Sequence, residues 1–268
     1  MEVEPPLEAG TIYGTYRPAL HQHIVSVVPS QTELLHYLGL DSQIAGITRF
    51  CTQPPHWHKT KTRIGGTKDI NLHKVQQLKP TLLLANEEEN TREQVLAIAE
   101  YCPVYVSKVH NLDTALGMMV DVGRLTQTDL RACQLAHDIR AAFNSLPLVA
   151  PPLRVAYLIW KEPYMAAGGH TFINDMLQWA GFENVFAHLS RYPVVQPGDW
   201  QALHADLVLL SSEPYPFGTK HLQLPEFQSS AILVDGSYFS WYGSRLLRAP
   251  AYFKQLGIQV QRLMSSIG

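Results

Sequence analysis

Short runs of apolar, often β-branched residues recur along the chain, and most of them are continuous rather than alternating. The predicted strands cover residues 24–28, 44–48, 81–85, 104–106, 153–159, 207–210 and 232–234. Continuous apolar runs are typical of strands that helices cover on both faces. The pattern therefore predicts an α/β fold with largely parallel sheets.

The first predicted strand stops at Pro29 and leads into a helical pattern. Ser30 and Glu33 stand three positions apart, which is the spacing of a capping box. We therefore expect a helix over residues 31–38, with Gly39 as its end.

The middle of the chain lacks strand patterns. Residues 126–146 carry apolar positions at helical spacing, and Pro147 follows them. About 18 helical residues would extend about 27 Å, enough to join two lobes. A core helix within a single domain fits the same pattern.

Two stretches, VQQLKPTLLLANEE and WQALHADLVLLSSE, match at a constant offset of 125 residues. Each predicts a helix, a strand and an acidic loop, so the repetition favours two similar lobes. We expect lobes over 1–109 and 148–268, with a linking helix region over 110–147. Ligands of such sheets bind beyond the carboxyl ends of the strands, which predicts a binding cleft between the lobes.

Composition narrows the possible partners. The 268 residues are 46% hydrophobic and 16% charged, the formal net charge is −2, and no basic run occurs. Nucleic acid and anionic membranes are therefore not expected as partners. No apolar run approaches the roughly 20 residues of a membrane span, so we expect no membrane insertion. We expect a monomer.

The three cysteines have no CxxC spacing, which argues against a disulfide framework and a zinc knuckle. The first 23 residues lack the basic start and apolar run of an export signal. As written, the chain is expected in the cytoplasm. An upstream signal removed during maturation would instead make it periplasmic or lipid-anchored outside the membrane.

The segments after the predicted strands are rich in aromatic and charged residues, as is typical of a recognition surface. Arg49 and Arg245 are expected to pair with anionic groups of a ligand or with the glutamates at 87–89. The candidate ligand-binding residues found in this way are Arg49, Phe50, Glu88, Trp160, Glu213, Tyr238, Trp241 and Arg245.

Enzyme motifs are absent from the sequence: it has no phosphate loop, nucleophile elbow, HExxH or dinucleotide fingerprint. We therefore predict that the chain is not an enzyme and has no catalytic residues. Cys51, His56 and His58 are weak candidates for metal ligands. An enzyme or a metal-ion-binding protein that uses these three residues is the alternative function.

Several blocks in order resemble one known family. They are IVSVVPSQTELLHYLGL, IAGITRFCTQPP, GGTKDINLHKVQQLKPTLLLANEEEN, AAGGHTFINDMLQWAGFENVF and VDGSYFSWYGSRL. They resemble the cobalamin- and ferric-chelate-binding proteins of bacterial ABC importers, the helical-backbone metal receptors. The resemblance covers about residues 24–257. It implies two Rossmann-like lobes with mostly parallel sheets, joined by a long α-helix.

The resemblance also implies a function. The chain would capture a corrinoid such as cobalamin, a ferric siderophore or haem in the interlobe cleft, without chemistry and without a covalently bound cofactor. An ABC permease is the implied partner. The family's cleft positions fall on Phe50, the loop around Thr67 and Lys68, Tyr192, and Tyr238 near Trp241.

This sequence departs from the family pattern at two places. In the family's cobalamin receptor the corresponding place is similar to a Trp site, whereas this chain has Lys68 there. The difference weakens the case for cobalamin itself. The resemblance also implies an acidic residue on each lobe that docks to the permease. At the first of these places His73 replaces a Glu, whereas the second, beside Gly198, keeps the acid Asp199.

Overall fold

The computed structural model describes residues 7–19, 21–147, 151–227 and 231–267, with side chains up to residue 265. The chain divides into two compact units. Unit 1 holds the chain up to Val109, Asp113–Ile139 and Tyr242–Arg245, and unit 2 holds the rest. Across the described ranges, no helix is both long and apolar enough to cross a bilayer.

Unit 1 contains a six-stranded sheet with the order β1-β6-β5-β2-β3-β4, in which β1 alone is antiparallel to its neighbour. Its strands are β1 Gly10–Tyr13, β2 Ile24–Ser26, β3 Ile44–Ile47, β4 Thr62–Arg63, β5 Leu82–Asn86 and β6 Val104–Ser107. Its first four helices are α1 Pro29–Tyr37, α2 Pro55–Thr60, α3 Leu72–Gln77 and α4 Arg92–Ala99.

The central strands of this sheet are covered on both faces, as their unbroken apolar runs predict. All residues of β2, β5 and β6 are buried. A strand that buries both its faces has no need for alternating polar positions.

The region predicted to link the lobes is helical, but it holds two helices rather than one. α5 spans Leu112–Leu125 and α6 spans Asp129–Asn144. The Thr126 hydroxyl donates to the Val122 carbonyl at 2.7 Å and lies 2.8 Å from the Thr128 hydroxyl, and Gln127 has a φ of 58°. The left-handed backbone of Gln127 interrupts the helix, so α6 begins at Asp129 rather than at residue 126, where the apolar pattern starts.

Unit 2 contains a five-stranded sheet. Its strands are β7 Leu153–Trp160, β8 Met165–Ala166, β9 Phe182–Asn184, β10 Leu207–Ser211 and β11 Ala231–Val234. Its helices after α6 are α7 Phe172–Trp179, α8 Pro197–Ala202, α9 Ser237–Ser240 and α10 Ala249–Ile267. β11-β10-β7-β9 are parallel neighbours, and β8 runs antiparallel to β7.

The two sheets share a parallel core of the same order, β6-β5-β2-β3 in one and β11-β10-β7-β9 in the other. α3 with β5 and α8 with β10 begin and end at positions offset by 125 residues. Lys79 and His204, at the same offset, both adopt positive φ, 47° and 51°. The predicted fold class is therefore confirmed. The predicted division at 109 and 147 stays a prediction, and its second boundary adjoins residues 148–150 outside the described ranges.

The predicted capping box is wrong. Val28 is the N-cap of α1 and Pro29 is its first residue, so Ser30 and Glu33 both lie inside the helix. Pro suits the first helical position because its missing N–H would have no partner there. Glu33 instead accepts two hydrogen bonds from Arg245, at 2.9 and 3.2 Å.

The sequence pattern missed β1, which a buried carboxylate holds in place. Asp121 of α5 is fully buried and accepts from the backbone N–H groups of Glu8 and Ala9, at 2.7 and 2.8 Å. It also accepts from the Tyr105 hydroxyl at 2.8 Å. A Cβ on Gly10 would lie 2.3 Å from the Tyr105 ring, so the strand can dock only with glycine there.

We predict that Asp121→Ala destabilises the protein by about 2–4 kcal/mol, because buried donors lose a charged acceptor. Glu8→Ala is the matched control, since Glu8 forms a half-exposed ion pair with Arg124 at 2.8 Å. Removing an exposed pair should cost less than about 1 kcal/mol. Urea unfolding of both variants measures the two costs, and equal costs would contradict the role given to Asp121.

Candidate functional site

Arg49 and Phe50 lie just beyond the carboxyl end of β3. Phe50 is 50% exposed. The Arg49 guanidinium lies 5.0 Å from the centre of the Phe50 ring. Arg49 forms an ion pair with Asp69 at 3.1 Å, a partner that the sequence pattern did not identify. The Arg49 pairing expected with the glutamates at 87–89 is therefore wrong.

The loop after β4 packs directly beneath this pair. Gly65 has a φ of 109°, and its carbonyl accepts from the Arg49 N–H at 2.8 Å. A Cβ on Gly66 would lie 2.1 Å from an Asp69 carboxylate oxygen and 3.1 Å from the Phe50 ring. The two glycines thus allow this loop, with Lys68 exposed on it, to approach Phe50.

Two buried asparagines shape the loop after β5. Asn90 accepts from the Asn86 N–H at 2.8 Å and donates to the Thr67 carbonyl at 2.8 Å. Asn86 accepts from the Glu88 N–H at 2.9 Å. The loops that carry Lys68 and Glu88 are therefore bonded to each other at one edge of the sheet. The only trace of this arrangement in the sequence is a pair of asparagines four residues apart, which the sequence analysis did not use.

The segment Tyr242–Arg245 belongs to unit 1 and is fixed by two carboxylates. The Tyr242 hydroxyl donates to Glu89 at 2.9 Å, and burial followed by the Glu89 charge raises the pKa of Tyr242. Arg245 pairs with Glu33 at 2.9 Å. Arg245 was expected to pair with a ligand or with residues 87–89, and one ion pair of its guanidinium is with Glu33 of α1.

In unit 2, Trp160 ends β7 and its side chain is 41% exposed. Its ring meets Tyr215 edge to face, with ring centres 5.7 Å apart. The Tyr215 hydroxyl lies 3.2 Å from Nε2 of the buried His221. Trp160 is thus held by an aromatic cluster in the loop after β10. The sequence pattern had indicated Trp160 but not the role of His221.

Glu213, also in the loop after β10, orients a second tryptophan. Its carboxylate accepts from the Trp241 indole N–H at 2.7 Å and from the Ser240 hydroxyl at 2.6 Å. Both predicted residues, Glu213 and Trp241, therefore come together at the carboxyl end of β10.

Tyr238 and Tyr192 lie in different surroundings. The Tyr238 ring stacks on Tyr252 of α10, with centres 4.4 Å apart and planes 15° apart, so one of its faces is covered. Tyr192 is partly buried and follows Arg191, whose carbonyl accepts from the Gly168 N–H at 2.7 Å. The Tyr238 ring is thus positioned by α10, and Tyr192 lies in a segment bonded to Gly168.

Cys51, His56 and His58 do not form a common metal site. The Cys51 thiol is buried, 3.0 Å from the Thr32 hydroxyl and 3.1 Å from that of Thr48, and burial raises its pKa. His58 directs Nδ1 to the Cys51 carbonyl at 3.3 Å. His56 lies 3.3 Å from an oxygen of Asp41 instead. The three donors therefore face different partners.

The two expected docking positions lie on corresponding helices. His73 is exposed in the first turn of α3, and Asp199 lies in the first turn of α8. The Asp199 carboxylate accepts from the Gln196 N–H at 2.6 Å, which caps its own helix.

Comparison with known families agrees with this architecture. The sequence profile described as "Periplasmic binding protein" matches residues 24–229. The chain belongs to the periplasmic binding protein family. Proteins of this family bind solutes for transport and are not enzymes, so the prediction that no catalysis occurs is confirmed.

Relatives of this periplasmic binding protein include named receptors. A vitamin B12-binding protein of Pectobacterium atrosepticum is 23% identical over 252 residues, which covers 90% of both chains. Among solved structures, the haem-binding protein RhuT from Roseiflexus sp. RS-1 matches with a TM-score of 0.73 and 20% identity, over 87% of this chain and 98% of that one. The vitamin B12-binding protein BtuF of Vibrio cholerae matches with a TM-score of 0.69 and 19% identity, over 87% and 97%.

The family also bears on the compartment. The family is one of periplasmic proteins, so the expectation of a cytoplasmic protein is not supported. Part of that expectation rested on residues 1–6, which lie outside the described ranges.

We predict that Cys51 of this periplasmic binding protein is unreactive in the native state. Cys51 and Cys102 are buried, and burial raises the pKa of Cys102 to about 12, whereas Cys133 is exposed. Thiolates rather than thiols react, so one thiol should react rapidly with a disulfide reagent and none should do so in Cys133→Ser. Rapid reaction of Cys51 in that variant would contradict the burial of its thiol.

Proposed function

We propose that this periplasmic binding protein captures one bulky metal chelate, with a corrinoid as the first choice and haem or a ferric siderophore as the other candidates. The observation that carries the proposal is the clustering of ring-bearing side chains at the carboxyl ends of strands in both units. Phe50 follows β3 and Trp160 ends β7, and both are large, apolar and exposed. The vitamin B12-binding relative supports a corrinoid.

Exposed rings suit a flat, conjugated ligand. Stacking on such a ligand removes apolar surface from water on both partners, and a half-exposed aromatic ring gains about 1–2 kcal/mol in this way. Trp241 is already oriented by Glu213, so little rotational freedom is lost when a ligand binds to it. Tyr192 and Tyr238 would add further contacts to the ligand.

Charged groups next to these rings would bind the polar rim of the chelate. Arg49 and Lys68 offer donors, and Glu88 and Glu213 offer acceptors. The Arg49 guanidinium is held by Asp69, which favours a fixed orientation toward amide or carboxylate side groups. Arg245, paired with Glu33, would act as a weaker, partly neutralised donor.

Ligand titration tests the proposal directly. Purified protein is titrated with cyanocobalamin, cobinamide, haem and a ferric hydroxamate, and visible absorbance and heat are recorded. We expect one chelate per chain to bind with a spectral change. Saturation by none of these four compounds would overturn the proposal.

Two substitutions test the residues. Phe50→Ala and Trp160→Ala should each weaken binding of the preferred chelate about three- to 30-fold, the equivalent of about 0.7–2 kcal/mol. Tyr101→Ala is the matched control, since Tyr101 is 40% exposed but precedes β6, at the amino end of the strands. Thermal melting checks that the variants fold, and unchanged affinity in both would place the pocket elsewhere.

The proposal includes delivery of the chelate to an ABC permease by a monomeric protein outside the cytoplasm. The exposed first turns of α3 and α8 are the docking positions in this hypothesis. Because Asp199 caps its own helix and His73 carries no carboxylate, we infer that docking depends less on acidic residues than in the family pattern.

A further inference from the structure

Outside the chelate-binding residues, unit 1 brings together two histidines and an aspartate. Nδ1 of His36 lies 3.2 Å from Oδ1 of Asp41, and Nε2 of His56 lies 3.3 Å from the same oxygen. One donor atom from each of the three residues lies within 4.8 Å of the other two. Within the described ranges, this is the one group of three or more His, Cys, Asp or Glu residues placed so closely.

Three separate elements build this group, which we call the His–Asp–His cluster. His36 lies in the last turn of α1, Asp41 opens the turn before β3, and His56 lies in α2. The cluster is therefore at the edge where β3 begins, whereas Phe50 follows the end of β3. It is separate from the proposed chelate-binding residues and belongs to no part of that function.

Neighbouring groups fix the carboxylate in position. The Trp57 indole N–H donates to Oδ1 of Asp41 at 2.9 Å, and the Lys61 ammonium donates to the Asp41 backbone carbonyl at 2.5 Å. Oδ1 is therefore the carboxylate oxygen that faces both imidazoles. Outer partners that orient a ligand group in this way are typical of metal sites.

The spacing fits a four-coordinate metal ion. Bonds of about 2.0–2.1 Å in a tetrahedral arrangement place adjacent donor atoms about 3.3 Å apart. The two nitrogen–oxygen distances, 3.2 and 3.3 Å, already have this value. Both histidine side chains are partly exposed, so the ion can enter from solvent and the imidazoles can adjust.

The donor set identifies the class of metal. Two imidazole nitrogens and one carboxylate oxygen suit zinc, nickel, cobalt or copper. Calcium and magnesium instead prefer about six or more oxygen ligands, which this cluster does not supply. We propose that the His–Asp–His cluster is a zinc site, with three protein ligands and a fourth position open to solvent.

Binding would join the short helix α2 to the end of α1. A metal that binds the folded chain and not the unfolded one raises the melting temperature. Zinc should therefore stabilise this protein whether or not a chelate is bound.

Calorimetry on tag-free, chelator-stripped full-length protein tests the proposal with Zn²⁺ as the probe. A Cys133→Ser background removes the exposed thiol, which would otherwise bind zinc by itself. We expect one Zn²⁺ per chain, and at least tenfold weaker binding in His36→Ala and His56→Ala. Replacing Zn²⁺ by Co²⁺ should give visible absorption typical of nitrogen and oxygen ligands without a thiolate.

His58→Ala is the matched control, because His58 shares helix α2 with His56 but contacts the Cys51 carbonyl. It should keep zinc affinity and the zinc-induced rise in melting temperature. Loss of binding in His58→Ala but not in His36→Ala would overturn the proposal in favour of a site with Cys51. Equal affinity in all variants would also overturn it, and circular dichroism shows whether each variant folds.

Discussion

Burial of parallel strands on both faces is the constraint on which this structure depends. β5 and β10 are buried along their whole length, so neither can present a functional side chain from its interior. Recognition must therefore come from the loops at the strand ends. The pairing of β5 with β2 and of β10 with β7 fixes where each of these loops begins. Because these pairings run in the same order in both sheets, each unit presents its loops from equivalent strand ends. This explains why Phe50 and Trp160, far apart in sequence, both lie at the carboxyl ends of strands in their own units, although β3 and β7 are not equivalent strands.

The fold could be predicted from the sequence where a local pattern determines the structure. The seven apolar runs all became strands, since an unbroken apolar run already indicates a strand that is covered on both faces. β1 escaped prediction because its residues are only partly buried and depend on Asp121, more than a hundred residues away. The break between α5 and α6 escaped because helical spacing does not reveal the left-handed backbone of Gln127.

The candidate site was predictable in composition but not in pairing. Aromatic and charged residues after strands indicate a recognition surface, and the structure brings Glu213 and Trp241 into contact. The partners of the two arginines could not be inferred, because Asp69 and Glu33 reach them through loop and helix geometry rather than sequence proximity. The same limit explains the metal ligands: His56 was a candidate, but its companions in the His–Asp–His cluster lie on elements that only the folded chain brings together.

The link between Asp121 and the first strand also bears on how the chain is made. During synthesis, the segment around Ala9 emerges long before α5, and it has no buried acceptor until Asp121 follows. Closing a loop of that length is slow compared with forming a local helix. The six-stranded sheet can thus be completed only late, after its central strands have paired. Until then the outer edge of β6 stays unpaired, and an unpaired strand edge can pair with other chains.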